Sequence, residues 1–404
     1  MRTGLSYDEA LAASLAAGRR LDSERVPLAD ACGRIAAAAV QAPFALPGFD
    51  NAAMDGYAVR AADLAQAAGE GLPVTGTILA GDTHEYLLAP HTAMGIMTGA
   101  PLPRGADTVV VQEQARREGD RVWLPAAVRP GANVRPADDD WAAGATILAV
   151  GELLTPARVA VLSGFGLSGV EVVRRPCVAI LTTGDELVPP GRPRGHGQRH
   201  DSNGPLLAGC TMAAGARVLA VRHCGDDPDA LVRQMQALSA DADLLLTCGG
   251  VSMGAADFLP DALGRIGEVY YWKVRMKPGM PVLFGRIGHT YVFALPGNPV
   301  SAGVTFQVLA LPLLWRLLGR APAPSLRVRP ATPWRKTHAR LEFLRVTLAQ
   351  DAEGCWRATP VPHQGSGALG MLAAAHALVR LDEGEREYGP DDVLEAQWLP
   401  GAGA

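Results

Sequence analysis

Two kinds of side chain stand at turns of this 404-residue chain in patterns that could do chemistry. Acidic residues recur there: Asp55 in Met54-Asp55-Gly56-Tyr57-Ala58, the triplet Asp138-Asp139-Asp140, Asp185-Glu186, Asp226-Asp227 and Asp257. A hard cation such as Mg2+ needs one or two carboxylates and takes its other ligands from water and substrate phosphate, so one reading is a metal-phosphate site. The other is that turn acids face solvent or cap helices, which Asp226-Asp227-Pro228 and Asp257 suit well. Asp185-Glu186 stands apart, because its loop leaves the end of an expected strand. Basic residues cluster in Trp272–Gly279, where Lys273, Arg275 and Lys277 alternate along an extended segment and so project to one side. Three cations on one face hold an oxyanion or form one solvated strand face.

Two backbone features could complement these charges. Gly249-Gly250-Val251-Ser252-Met253-Gly254 allows close approach of a ligand, as phosphate-cradling loops do, but has neither a P-loop ending nor dinucleotide-fingerprint spacing. Leu295 to Ser301 joins an apolar strand to a long apolar helix. Pro299 suits the first helical position, Asn298 can cap the turn, and the helix start then presents amides to an anion. His363-Gln364-Gly365-Ser366-Gly367 and Met97-Thr98-Gly99-Ala100-Pro101 are glycine-framed turns with polar donors. Neither a nucleophile elbow nor a zinc-type His/Glu spacing is present.

These loops need a scaffold. From about 174 to 319 the pattern alternates: strand Cys177–Leu181, helix Pro205–Ala214, strand Arg217–Arg222, helix Pro228–Ser239, strand Asp243–Thr247 and helix Asp257–Arg265. Strands Glu268–Val274, Val282–Arg286 and Tyr291–Leu295 and a final helix follow. Near-continuous apolar strands such as Leu244-Leu245-Leu246 predict a mostly parallel, doubly wound α/β sheet, with ligands beyond the strands' carboxyl ends. The loops after Thr183, Cys248 and Leu295 then form one rim if their strands are neighbours. Short strands and turns from 322 to 404 predict a small β-barrel or sandwich, and residues 42 to 140 are also β-rich.

Composition narrows the class. Hydrophobic residues are 48%, charged residues 19% and the net charge is −4, which suits a globular multidomain protein and argues against non-specific nucleic-acid binding. Six scattered cysteines without Cys-x-x-Cys read as reduced thiols of a cytoplasmic protein. The first twenty residues read as an amphipathic helix, not a signal peptide. The apolar run Val300–Trp315 reads as a core helix, so no membrane partner is expected.

In this order along nearly the whole chain, Met54–Ala58, Met97–Pro101, Asn133–Arg135, Thr183–Leu187, Asp201–Asn203, Gly249–Ser252, Lys277–Gly279, Leu295–Ser301 and His363–Ser366 resemble the molybdopterin molybdenumtransferase family, MoeA and the gephyrin E domain. The resemblance implies an elongated homodimer of four-domain protomers. Residues 1–41 and 141–174 would form a segmented linker domain and 42–140 a β-rich inserted domain. Residues 175–321 would form an α/β molybdopterin-binding domain like that of the molybdopterin adenylyltransferases, and 322–404 a C-terminal β-barrel. It also implies the reaction: molybdate enters the dithiolene of adenylylated molybdopterin with Mg2+ present, releasing AMP and molybdenum cofactor. The family's cleft is shared between subunits. Molybdopterin adenylyltransferase and molybdoenzyme apoproteins are the protein partners to expect.

Carried over by position, the family's acidic and metal-linked roles fall on Asp55, Asp140, Glu186, Asp226 and Asp257. Its anion-binding roles fall on Lys273, Lys277, Arg345 and Ser366, with Thr98, Pro296 and Pro299 lining the pocket beside Gly249, Gly250 and Ser252. Glu186 is the first choice for an essential group, with Asp55, Asp257 and Lys277 as further catalytic candidates and Arg135 as an added basic lining. Ala255-Ala256 and Met280 depart from the family pattern, and Asp139 competes with Asp140 for one role. An adenylyltransferase-like nucleotide enzyme and a non-catalytic gephyrin-like scaffold are the alternatives.

Overall fold

The structure is a computed structural model that describes residues 1–250 and 259–402. The chain divides into two compact units. One comprises Ala38–Val150 with Thr155–Gly169, the other Met1–Ala37, Gly151–Leu154 and Val170–Ala404. Residues 141–150 and Thr155–Gly169 thus belong to the unit that holds the β-rich segment.

The larger unit is built on a seven-stranded sheet in the order Arg2–Leu5, Glu268–Val274, Leu283–Ile287, Thr290–Leu295, Leu244–Cys248, Cys177–Thr183, Arg217–Cys224. The last four strands pair in parallel, while Leu283–Ile287 runs antiparallel to both its neighbours. Successive side chains of a strand point to opposite faces, and here both faces are buried. Val178, Ile180, Leu244, Leu246 and Phe293 pack against the long C-terminal helix of this domain, while Ala179, Leu181, Leu245 and Val292 pack against the helices Pro228–Ser239 and Leu259–Ile266. Arg174 fastens the start of the sheet through two bonds to Asp243, at 2.7 and 2.6 Å, and Asp243 also accepts the amide of Cys177.

The helix Pro299–Leu318 is long and apolar enough to cross a membrane, but 83% of that stretch is buried in the fold, as a core helix requires. Its middle, Phe306–Ala310, widens to a π turn. Pro312 has no N–H for the carbonyl of Val308 one turn back. The hydroxyl of buried Tyr7 donates to that carbonyl instead, at 3.2 Å, and burial pushes the phenol up to about 12.

Beyond this helix five strands close into a barrel: Leu341–Gln350 pairs with Trp356–Pro360 and with Ala377–Leu381, and Leu326–Pro330 and Leu394–Trp398 complete the circle. Closure leaves no sheet edge. The short pair Trp334–Lys336 and Arg386–Tyr388 was not legible as strands in the sequence. The smaller unit holds a six-stranded, mainly antiparallel sheet in the order Thr108–Val111, Gly56–Val59, Ala93–Ile96, Leu72–Ile78, Arg121–Trp123, Arg116–Glu118.

Candidate active site

Three adjacent parallel strands end at Thr183, Cys248 and Leu295, so the loops that leave them are neighbours and form one rim. A cleft of about 510 Å³ opens there. Glu186, Asp226, Gly249, Gly250, Pro296 and Pro299 line it, six positions singled out from the sequence. Arg199, His200 and Asn203 line it too and were missed as individual site residues.

The backbone explains the rim. Gly249 has φ +104, and a Cβ there would lie 2.5 Å from Thr183 Oγ1 and 2.7 Å from its carbonyl oxygen, so only glycine lets the second loop cross the first. Buried Cys248 donates its thiol to the carbonyl of Pro296 at 3.1 Å, tying the second loop to the third, and burial pushes that thiol well above its ordinary range. Asp201, one residue before the N-cap Ser202, accepts the amides of Asn203 and Gly204 at 2.9 and 3.0 Å at the start of the helix Asn203–Ala213, while its other oxygen accepts Thr182 Oγ1. Of the pair Asp226-Asp227, Asp227 caps the helix Pro228–Ser239 as expected. Asp226 does something else: it accepts the amide of Asp185 at 3.4 Å, and Asp185 accepts the amide of Asp226 at 3.1 Å. This reciprocal bond fixes the two acidic turns side by side.

The helix start departs from expectation. Pro299 is the first helical residue, but the Asn298 side chain makes no capping bond. Its Nδ2 donates to Ser366 Oγ at 3.1 Å, and the amide of Val300 donates to the carbonyl of Ser366 at 3.1 Å. The turn His363–Gly367 thus docks on the helix start and occupies one of the amides expected to face an anion.

The cations are not one face. Lys273 has φ +63, which breaks the alternation of the extended segment, and its ammonium lies 4.2 Å over the Trp272 ring. Arg275 bonds Gly4 O at 2.6 Å and pairs with Glu383. Lys277 belongs to a two-residue strand, Met276–Lys277, that joins the barrel sheet in register with Leu341 and Glu342. That register puts Lys277 Nζ 3.0 Å from Glu342 Oε1 and 3.2 Å from His338 Nε2, with Glu342 Oε2 at 3.0 Å from the same imidazole nitrogen. Arg345 is 1% exposed and donates to the carbonyls of His363 and Gly365 at 3.0 and 3.2 Å, while the Gln364 side chain bonds the backbone of Arg345 in both senses. Its guanidinium therefore holds the turn that carries Ser366. Glu342 and His338 gave no signal in the sequence, because only pairing between distant segments brings them to Lys277.

In the smaller unit, Asp55 accepts both the amide and the hydroxyl of Thr98 at 2.7 Å, and these bonds hold its carboxyl below the usual carboxylate range. Asp140 is exposed, with its amide bonded to Leu46 O, and Arg135 is exposed in a two-residue strand beside Asn51–Ala52. Ser252, Asp257 and the departure at Ala255-Ala256 lie outside the described residues. Among the described residues no three metal-ligating side chains converge. Two carboxylates on one cleft still fit Mg2+, which keeps waters and takes phosphate oxygens for the remaining positions.

Comparison with known proteins agrees with this architecture. Family models match the MoeA N-terminal region (domain I and II) over residues 5–166, a probable molybdopterin binding domain over 179–316 and the MoeA C-terminal region (domain IV) over 327–397. Molybdopterin molybdenumtransferase 2 of Mycobacterium tuberculosis is 40% identical over 382 residues, 92% of this chain and 91% of that one. Molybdopterin molybdenumtransferase of Haemophilus influenzae is 34% identical over 365 residues, 89% of this chain and 90% of that one. The crystal structure of the molybdopterin biosynthesis MoeA protein of Pyrococcus horikoshii superimposes with a TM-score of 0.86 at 31% identity, covering 98% of this chain and all of that one. The chain belongs to the molybdopterin molybdenumtransferase (MoeA) family, and its activity is the insertion of molybdenum in molybdenum cofactor biosynthesis.

Proposed function

We propose that the chain, as a homodimer, takes adenylylated molybdopterin and molybdate and releases AMP with the molybdenum cofactor in a Mg2+-dependent step. The observation that carries this reading is the placement of Glu186 and Asp226 together on a cleft at the ends of three adjacent parallel strands. Glu186 and Asp226 are the residues that would hold Mg2+, and the ion would supply charge neutralisation for the diphosphate. Glu186 and Asp226 would orient the nucleotide phosphates only through such an ion, while the glycine backbone at Gly249 and Gly250 leaves room for them on the rim.

Lys277 reaches the molybdate dianion by exchanging Glu342 for it. Arg345 supports this end by holding the His363–Gly367 turn, from which Ser366 presents its hydroxyl. Positioning and electrostatics supply the rate enhancement. The test is anaerobic AMP release from adenylylated molybdopterin with Mg2+, with and without molybdate, beside Glu186→Gln. Molybdate-dependent release that falls at least about a hundredfold in the variant is expected; release independent of molybdate, or undiminished by the substitution, overturns the reading.

A further inference from the structure

The cleft carries a cation that the family-derived anion site does not include. Arg199 lines it, and its guanidinium has no hydrogen-bond or ion-pair partner among the described residues. Its backbone is nevertheless fixed. The Arg199 amide donates to the carbonyl of Glu186 at 2.7 Å, Leu187 and Val188 pair in parallel with Arg199 and His200, and His200 Nε2 lies 2.9 Å from the carbonyl of Arg192. Arg199 is the single arginine or lysine among the described residues of the lining, which also holds the acids Glu186 and Asp226. A guanidinium placed this way offers two parallel donors to a phosphate.

A second observation points to a ligand. Asn203 lines the same cleft and is 5% exposed; its Nδ2 donates to the carbonyl of Gly297 at 2.7 Å. That bond settles which end of the amide is which, and it leaves the enclosed Oδ1 with no hydrogen-bond partner. An enclosed acceptor without a donor is costly, and an incoming N–H relieves the cost.

We infer that Arg199 and Asn203 form a subsite for a phosphate-bearing nitrogen heterocycle, with Arg199 on the phosphate and Asn203 Oδ1 on a ring or exocyclic N–H. The inference rests on the proposed substrate, whose nucleotide and pterin ends share this chemistry. Two probes separate the ends: AMP and molybdopterin, each measured by equilibrium dialysis against the wild-type protein, Arg199→Ala and Arg199→Lys.

Arg199→Ala weakens one probe about tenfold, and lysine recovers part of the loss because it keeps the charge without the fork. The probe affected identifies the end that binds. Asn203→Ala weakens the same probe but leaves inorganic pyrophosphate unchanged, since pyrophosphate has no N–H to offer; pyrophosphate binding also reports that the variant is folded. In turnover, Arg199→Ala raises KM for adenylylated molybdopterin more than it lowers kcat. Probe affinities that do not move in Arg199→Ala overturn the subsite, as does a wild-type protein that binds neither probe. Wild-type protein that releases AMP on molybdate addition while Arg199→Ala keeps its affinities refutes the subsite alone. Absence of that release from wild-type protein refutes the proposed reaction instead, whatever the probes do.

Discussion

The acidic rim and the cations proposed to complement it are built in opposite ways. The rim is a product of one sheet: three neighbouring strands end together, glycine lets one loop cross another, and Asp185 and Asp226 bond reciprocally through backbone amides. Its acids remain open to a ligand. The cations are positioned by contacts between distant segments, Lys277 on Glu342 and Arg345 through Nη2 on two carbonyls of the turn it supports, with its buried Nη1 left without a hydrogen-bond partner. On the proposed reading, anion capture at the barrel side is an exchange of partners, whereas cation capture at the rim needs none.

The largest expected effect breaks the rim. Gly249→Ala forces a side chain onto Thr183 in a left-handed backbone and costs about 3 kcal/mol, read as a fall in denaturation midpoint together with loss of activity. If the midpoint is unchanged, the crossing of the two loops is not what holds the cleft open.

Next, Arg345→Met keeps the volume but strands the carbonyls of His363 and Gly365. A loss of about 2 kcal/mol is expected, together with a higher KM for molybdate. A variant that loses molybdate binding at full stability shows instead that Arg345 touches the anion.

A smaller effect sharpens the exchange. Glu342→Gln removes the counter-charge of Lys277, and because the lysine is part-exposed the gain in molybdate affinity is on the order of threefold, by calorimetry. Weaker binding in this variant indicates that Glu342 orients the lysine and does not compete for it.

The smallest effect lies in the β-rich unit. Two bonds from Thr98 depress the Asp55 carboxyl, so their stabilisation is present above the ordinary carboxylate range and is lost as pH falls through the lowered value. Thr98→Val removes the hydroxyl and keeps the amide, so the depression is smaller: less stability is lost on acidification and the loss is complete at a higher pH, and carboxyl chemical shifts against pH show Asp55 moving toward its usual range. An unmoved titration assigns the whole depression to the amide.

Most of the α/β architecture was legible because it rests on local pattern. Apolar runs such as Leu244-Leu245-Leu246 cannot be solvated on either face, and Asp227-Pro228 marks a helix start by its own chemistry. Glu186 could be found for the same reason, since a strand end followed by acids is a local signal, whereas Asp226 reads locally as part of a helix start and only the family resemblance picks it out. Arg199 was harder. The stretch Pro189–His200 carries three arginines and two histidines without an acid, but no motif in it singles out one of them.

What the sequence determined by itself was the order of elements, the strand-end loops with their charges, and the motif succession that identifies the family, because each depends on neighbours in the chain. Tertiary structure alone decided which charges remain available. Whether Lys277 faces an oxyanion or Glu342 is set by the register between Met276–Lys277 and Leu341–Gln350, and whether Arg345 binds a ligand or a turn is set by burial inside the barrel. Charge is a property of a residue type, but its partner is chosen by packing between segments far apart in the chain, where the cost of burying an unpaired ion forces a pairing that composition does not reveal.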